Sequence, residues 1–401
     1  MLRSLFSGIS GLKAHSQMMD VVSNNIANVN TAGFKTSNIV FEDTLSQLMR
    51  AAGASTQTSG GLDPTQIGLG VKLAAVQQNF AQGSTQITNK STDLLVNGDG
   101  FFVLDDGGTQ VYSRAGAFTL DNDGYLVNPN GMYVQGYQAV DGAISAYGQL
   151  SKLKLQAGLT IPGDATNTVS LGGNLDPKGT LTLTVTPTVY DTGGAAYAVP
   201  MNLVPNDPPD GTYTINVQDP ADNSSTIGTG TIAFTSAGLY DPASSTPPTF
   251  TVNGVTMAVD LTQFTGYAGL SSPTPKSVDG YSAGTLNEFQ IGPDGIITGI
   301  FSNGQKKSLG QLALATFNNV SGLEKQGDSV YRDTANSGLA EIGIPGAGGH
   351  GLVTGGALEM SNVDLAAEFT NMIIAQRGFQ ANSKVITTSD EILQELVNIK
   401  R

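Results

Sequence analysis

The chain has 401 residues, a formal net charge of -14 and only 13% charged residues, about half the usual quarter. That balance excludes nucleic acid and anionic membrane surfaces as partners, since both need clustered Lys and Arg, and zero cysteine excludes a disulfide framework and thiolate chemistry. The length suits roughly two or three domains, and 51 glycines among abundant Ser, Thr and Asn suit many short strands and tight turns rather than one compact core.

Residues 1–30 open the chain with Leu5, Leu12, Met19 and Ile26 at a spacing of seven, and with Leu2, Ile9, Val22 and Val29 beside them. This predicts a helix with an apolar stripe. At the far end, over 361–401, Leu365, Met372, Phe379, Ile386 and Leu393 keep the same spacing, flanked by Phe369 and Val397. Two heptad stripes at opposite termini predict pairing as a coiled coil. Gly8, Gly11 and the Asn24-Asn25 pair each cost up to about 1 kcal/mol of helix propensity, so the stripes imply partners. Periodicity alone leaves open an ordinary coiled-coil hairpin and a self-assembly surface. The assembly reading takes Leu5, Leu12, Met19, Ile26, Leu365, Phe369, Met372, Phe379, Ile386 and Leu393 as the interface. Ser361 followed by Asp364 reads as the N-terminal cap of the last helix, with Lys400-Arg401 at the end that favours positive charge.

Between the helices, residues 31–70 read as an extended, partly helical connector with a polar loop over 51–61. From 71 the pattern changes to period two, through Val71, Leu73 and Ala75 and then Phe101-Phe102-Val103-Leu104. Turns are written at Asn97-Gly98, Gly107-Gly108, Asp121-Asn122-Asp123-Gly124 and Asn130-Gly131. This predicts an inner antiparallel β domain over 71–142 and 280–360. Proline and threonine rise over 143–279, with strand-like runs at 181–185, 213–217, 231–234 and 249–259, which predicts a second all-β domain inserted in the first. The fold class is therefore α+β and multidomain, with paired terminal helices and two mainly antiparallel β domains.

Three motifs invite chemistry and fail on context. Gly346-Ala347-Gly348-Gly349-His350-Gly351 spells a phosphate-cradling loop, yet it runs into more glycine-rich chain instead of a helix. Gly280-Tyr281-Ser282-Ala283-Gly284 spells a nucleophile elbow without the preceding strand and following helix that expose the hydroxyl. Asp121-Asn122-Asp123-Gly124 hints at a calcium loop, but Asn130 stands where a bidentate glutamate belongs, so a hairpin turn is the better reading. His15 and His350 are the only histidines, too few ligands for zinc without cysteine. No catalytic, cofactor or metal site is expected.

Longer stretches carry a resemblance. Ser7-Gly8-Ile9-Ser10-Gly11-Leu12, Ser23-Asn24-Asn25-Ile26-Ala27-Asn28-Val29-Asn30-Thr31 and Gly33-Phe34-Lys35 resemble the N-terminal signature of bacterial flagellar axial proteins, the rod and hook family. The run from Asp93 to Phe102, together with Tyr112-Ser113-Arg114-Ala115-Gly116-Ala117-Phe118, is similar to a second signature of that family. At the other end, Gly356-Ala357-Leu358-Glu359, Ser361-Asn362-Val363-Asp364-Leu365 and Gln376-Arg377 to Asn382 resemble its C-terminal end. The resemblance implies a structural, non-enzymatic subunit that polymerises with copies of itself into a curved, flexible tube transmitting torque from rod to filament. It implies further partners: the rod protein at the proximal end, hook cap and hook-filament junction proteins at the distal end, and the flagellar type III export apparatus. The place would be the hook, outside the cell, reached without a cleaved signal peptide, and the N-terminus lacks the continuous apolar core of such a peptide. The insertion over 143–279 favours the hook over the distal rod. A secreted carbohydrate-active enzyme or adhesin is the alternative of a different class, and no paired carboxylates stand out to support it.

Overall fold

The computed structural model describes residues 2–54, 60–140, 142–145, 148–156, 158–206, 211–222 and 225–399. Residues 55–59 of the predicted polar loop, Asp141 at the predicted domain crossing and the Lys400-Arg401 end lie outside them. The chain divides into two compact units. One holds residues 1–156, 289–298 and 308–401, and the other holds 157–288 and 299–307.

In the first unit, helix α1 (Leu2–Ala27) packs against helix α2 (Leu365–Ile399). The cap of α2 differs from expectation. Asp364, not Ser361, holds the N-terminus: its Oδ1 accepts from the Ala366 and Ala367 N–H groups at 2.9 and 3.3 Å. A carboxylate there satisfies orphan donors and meets the positive end of the dipole. The connector also differs, because none of its described part is helical. Ser37–Asp43 pairs antiparallel with Val71–Gln78, and Ser46–Arg50 continues the ribbon against Thr65–Gly68. Ser37, Ile39 and Phe41 turn inward on alternate positions, the period of a strand.

The β part of this unit is built on the hairpin Phe101–Asp106 and Thr109–Ser113, closed by Gly107-Gly108 with φ of 59° and 98°. Both residues sit in the left-handed region that a two-residue hairpin turn demands. Tyr133–Gln138 lies antiparallel to Phe101–Asp106, as does Leu314–Thr316. Two short ladders return the C-terminal chain to the domain: Leu94–Asn97 with Leu352–Gly355, and Thr85–Ile87 with Ala357–Glu359. Phe101, Val103, Tyr112, Tyr137, Phe317 and Tyr331 share one core, in which Phe101 meets Phe317 edge to face at 5.8 Å. Residues 143–156, placed with the insertion by composition, belong to this unit. Ser151–Lys152 pairs with Gln135 and Gly136, and Leu153 and Leu155 are buried.

The second unit carries two four-stranded sheets. One runs in the order Thr249–Val252, Val255–Thr265, Thr168–Asn174, Thr274–Val278, with one parallel pair between its middle strands. The other runs Leu183–Val185, Met201–Pro205, Tyr213–Gln218, Thr226–Ile232. Both line a single apolar core that includes Val169, Leu203, Ile215 and Phe264. The run 249–259, read from sequence as one strand, is a hairpin: Val252 pairs with Val255 across Asn253-Gly254, with φ of 50° and 83°. That dipeptide is a strong hairpin signal, masked in the sequence by the β-formers on both sides.

Candidate assembly interface

The closest approaches between α1 and α2 are made mostly by small and polar side chains, with Ile386 and Val22 among them. A Cβ at Gly11 would lie 2.6 Å from Asn382 Oδ1, one at Gly8 would lie 3.2 Å from Ile386 Cγ1, and Gly378 leaves its space to the His15 ring. The Ser4 and Ser389 hydroxyls approach to 3.5 Å, and Asn25 Nδ2 donates to Glu368 Oε1 at 3.2 Å. These pairs set an antiparallel register, and Ala14, Val22 and Ala375 are buried along it. The glycines that lower helix propensity are therefore the points of closest approach.

With the seam occupied by small residues, the large apolar ones fall to its flanks. Leu5, Leu12, Met19, Ile26, Met372, Ile386 and Leu393 are half-buried. Leu365, Phe369 and Phe379 are exposed, as are Phe6, Ile9, Ile373, Ile374, Val385, Ile392 and Val397. Isolated exposed apolar residues are ordinary, but a continuous set along a helix pair marks an interaction surface. The second flank, Ile373 and Ile374 with Val385 and Ile392, escapes a heptad reading because it lies off the 365-372-379 row.

Beneath the helices lies a buried charge cluster. Lys35 Nζ donates to Glu359 Oε1 at 2.6 Å across 324 residues of sequence, and to the Ala81 carbonyl at 2.9 Å. Arg114 Nη1 lies 3.8 Å from Glu359 Oε2, and all three side chains are at most 4% exposed. Burial lowers the Lys35 ammonium from its ordinary value, with the Glu359 hydrogen bond and charge opposing. Arg114 is lowered for the same first reason, and its guanidinium stacks 5.0 Å from the Phe101 ring centre. Burial pushes the neighbouring Tyr331 hydroxyl up to about 12.

Asn362 adds a neutral staple. Its Oδ1 accepts from the Thr36 N–H at 2.8 Å, and its Nδ2 donates to the Asn79 and Ala81 carbonyls. Asn25 does the same for the start of the ribbon, exchanging bonds with the Ser37 carbonyl and N–H at 2.9 and 3.1 Å. Sequence reasoning assigns no role to Lys35, Arg114 or Glu359. The available signal is that each lies in one of three separate signature stretches of a chain poor in charge.

The chemical motifs are accounted for locally. Asp121 Oδ1 accepts from the Asp123 and Tyr125 N–H groups at 3.0 and 2.7 Å, which makes the acidic stretch a turn. The His350 ring nitrogens lie 2.8 and 3.1 Å from the Ala347 and Glu341 carbonyls, engaged by the backbone around their own loop. Ser282 precedes no helix, and its carbonyl accepts from Asn303 Nδ2. Among the described residues no helix is long and apolar enough to cross a membrane.

Comparison with known proteins follows the same three stretches. Residues 5–35 match the family described as flagella basal body rod protein, 95–181 the flagellar hook protein FlgE/F/G D1 domain, and 354–399 the flagellar basal body rod FlgEFG protein C-terminal region. The flagellar hook protein FlgE of Borreliella burgdorferi is 38% identical over 441 residues, covering 100% of both chains. That of Salmonella typhimurium is 34% identical, covering 99% of this chain and 100% of its own. The flagellar basal-body rod protein FlgG of Bacillus subtilis is 33% identical, with 100% of both covered. These two hook proteins are more similar to the chain than this rod protein is, and the distal-rod alternative is not favoured. The chain belongs to the flagellar rod and hook protein family, as a structural subunit of the hook.

Proposed function

We propose that this chain polymerises with copies of itself through the apolar flanks of α1 and α2, with Leu5, Leu12, Met19, Ile26, Leu365, Phe369, Met372, Phe379, Ile386 and Leu393 in the interface. The observation that carries the reading is the inversion at the helix pair: Gly, Ser and Asn face inward, while Phe369, Ile373 and Val385 stay 51%, 57% and 43% exposed. A helix pair that closes a globular protein would do the reverse. The role is structural, not catalytic. The rod protein adjoins such a polymer at its proximal end, and the hook cap and hook-filament junction proteins at its distal end. Subunits reach the site unfolded through the flagellar type III export apparatus.

Phe369→Glu tests the interface. An unpaired charge buried between copies costs several kcal/mol per subunit, whereas the same side chain is tolerated in the single chain, where position 369 is exposed. Electron microscopy of the concentrated full-length protein should show tubes for the unsubstituted chain and none for the variant, with the circular dichroism of the soluble subunit unchanged. Normal tubes from Phe369→Glu would remove this flank from the interface.

A further inference from the structure

Glu359 is the side chain on which distant stretches of the chain converge. Beyond Lys35 and Arg114, its Oε1 accepts from the Gly83 N–H at 2.9 Å, and its own carbonyl accepts from the Gly33 N–H at 2.8 Å. The site is shaped for this carboxylate and little else. Gly33 has φ of +70°, and a Cβ there would lie 2.6 Å from the Ala115 nitrogen; a Cβ at Gly83 would run into the Met360 carbonyl. Since α1 ends at Ala27 and α2 begins at Leu365, Lys35 and Glu359 stand at the roots of both helices.

Apolar burial discriminates little between registers of the helix seam, and the contacts within it that do, Gly378 under the His15 ring, Gly8 against Ile386 and Asn25 with Glu368, are few. The inward positions on α2 repeat at seven as Ala375, Asn382 and Ser389, and a slip of one heptad exchanges one small or polar side chain for another. Buried ion pairs contribute little net stability but can specify one arrangement over its neighbours, because any slipped state leaves a charge unpaired in the interior. We infer that the Lys35–Glu359 pair is a register latch: by fixing where both helix roots begin, it decides which apolar residues α1 and α2 present to neighbouring copies. The inference rests on the assembly reading only in that last consequence; the latch itself is a property of one chain.

The test uses the absence of natural cysteine. In the full-length chain, Ser4→Cys with Ser389→Cys reports the native register as an intrachain disulfide, and Ser4→Cys with Asn382→Cys reports the register slipped by one heptad. Each pair is combined with Glu359→Gln, and also with the triple change Lys35→Met, Arg114→Met and Glu359→Met, which removes the three buried charges together and leaves none of them unpaired. Cross-linking is read in the soluble and the assembled protein, with near-ultraviolet circular dichroism of the buried tyrosines as the check on folding. The native latch should give the native disulfide almost alone, and the latch variants should raise the slipped-to-native ratio about tenfold or more. If Glu359→Gln does not fold, the triple methionine variant decides. A ratio unchanged from the native latch would overturn the inference, whereas absence of tubes from the unsubstituted chain would count against the assembly reading alone.

Discussion

In the unit formed by residues 157–288 and 299–307, Leu171, Met201, Leu203, Ile215 and Phe264 are no more than 1% exposed, while on α1 and α2 Phe6 is 66% and Ile373 57% exposed. The first unit of this comparison closes its two sheets over one apolar core. The helix pair puts Gly11, Asn382 and Ser389 inside and leaves Phe6, Ile9, Phe369, Ile373 and Ile374 outside. Their buried polar groups differ in kind as well. Asp191 in the sheet unit is satisfied within that unit, its Oδ1 accepting from the Gly193 and Ala195 N–H groups of its own turn at 2.9 Å and its Oδ2 from Asn253 Nδ2 at 2.8 Å. Glu359 instead draws on groups hundreds of residues away. A region whose burial is complete within the chain needs nothing further, whereas a region with apolar surface outside and charge inside is specified by its polar groups and stabilised by what later covers it.

The contrast breaks most visibly in the sheet unit. Phe264→Ala removes a side chain 1% exposed and should cost about 3–5 kcal/mol. Urea denaturation followed by tyrosine fluorescence should show the loss in the sheet unit, while hydrogen exchange across the α1–α2 seam stays the same. Loss of protection in the helices as well would mean that the two regions are not independent.

A smaller effect sharpens the other side. Gly11→Ala returns up to about 1 kcal/mol of helix propensity but places a Cβ 2.6 Å from Asn382 Oδ1, and overpacking of that kind costs about 1–3 kcal/mol. The seam should therefore lose about 1 kcal/mol overall. Gly11→Ala combined with Asn382→Ala clears the space, so the sign should reverse; thermal melts of the helical signal in the single and double variants measure both. A destabilised double variant would show that Asn382 contributes more than the space it fills.

The smallest expected effect is electrostatic. Burial raises the Glu368 carboxyl above the ordinary 4.5, against the hydrogen bond from Asn25. A raised folded value means that this group favours folding below the unfolded value of about 4.5, and that the advantage is lost as pH rises through the folded value. Glu368→Gln keeps an acceptor for Asn25 and should stabilise the helix roots slightly at pH 7, with little difference from the unsubstituted chain below pH 4. Helical melting at the two pH values checks it, and a larger gain under acid would reverse the assignment.

The sequence by itself determined the elements whose cause is local. Heptad spacing makes α1 and α2 because the stripe matches the helical period, and Gly107-Gly108 makes a hairpin because both residues adopt positive φ without strain. Period-two apolar runs make the strands of the first β part for the same local reason. The tertiary structure decided whatever depends on a distant partner. Asp364, and not Ser361, caps α2 because the preceding chain is held to the body by Asn362. Ser37–Asp43 is a strand because Val71–Gln78 is there to pair with it. The inward face of the helix pair goes to glycine, serine and asparagine, because close approach rewards small side chains and one chain offers nothing large enough to cover both flanks. Lys35, Arg114 and Glu359 are ordinary charges in the sequence, and they become a latch only where the fold removes all three from water within 4% exposure.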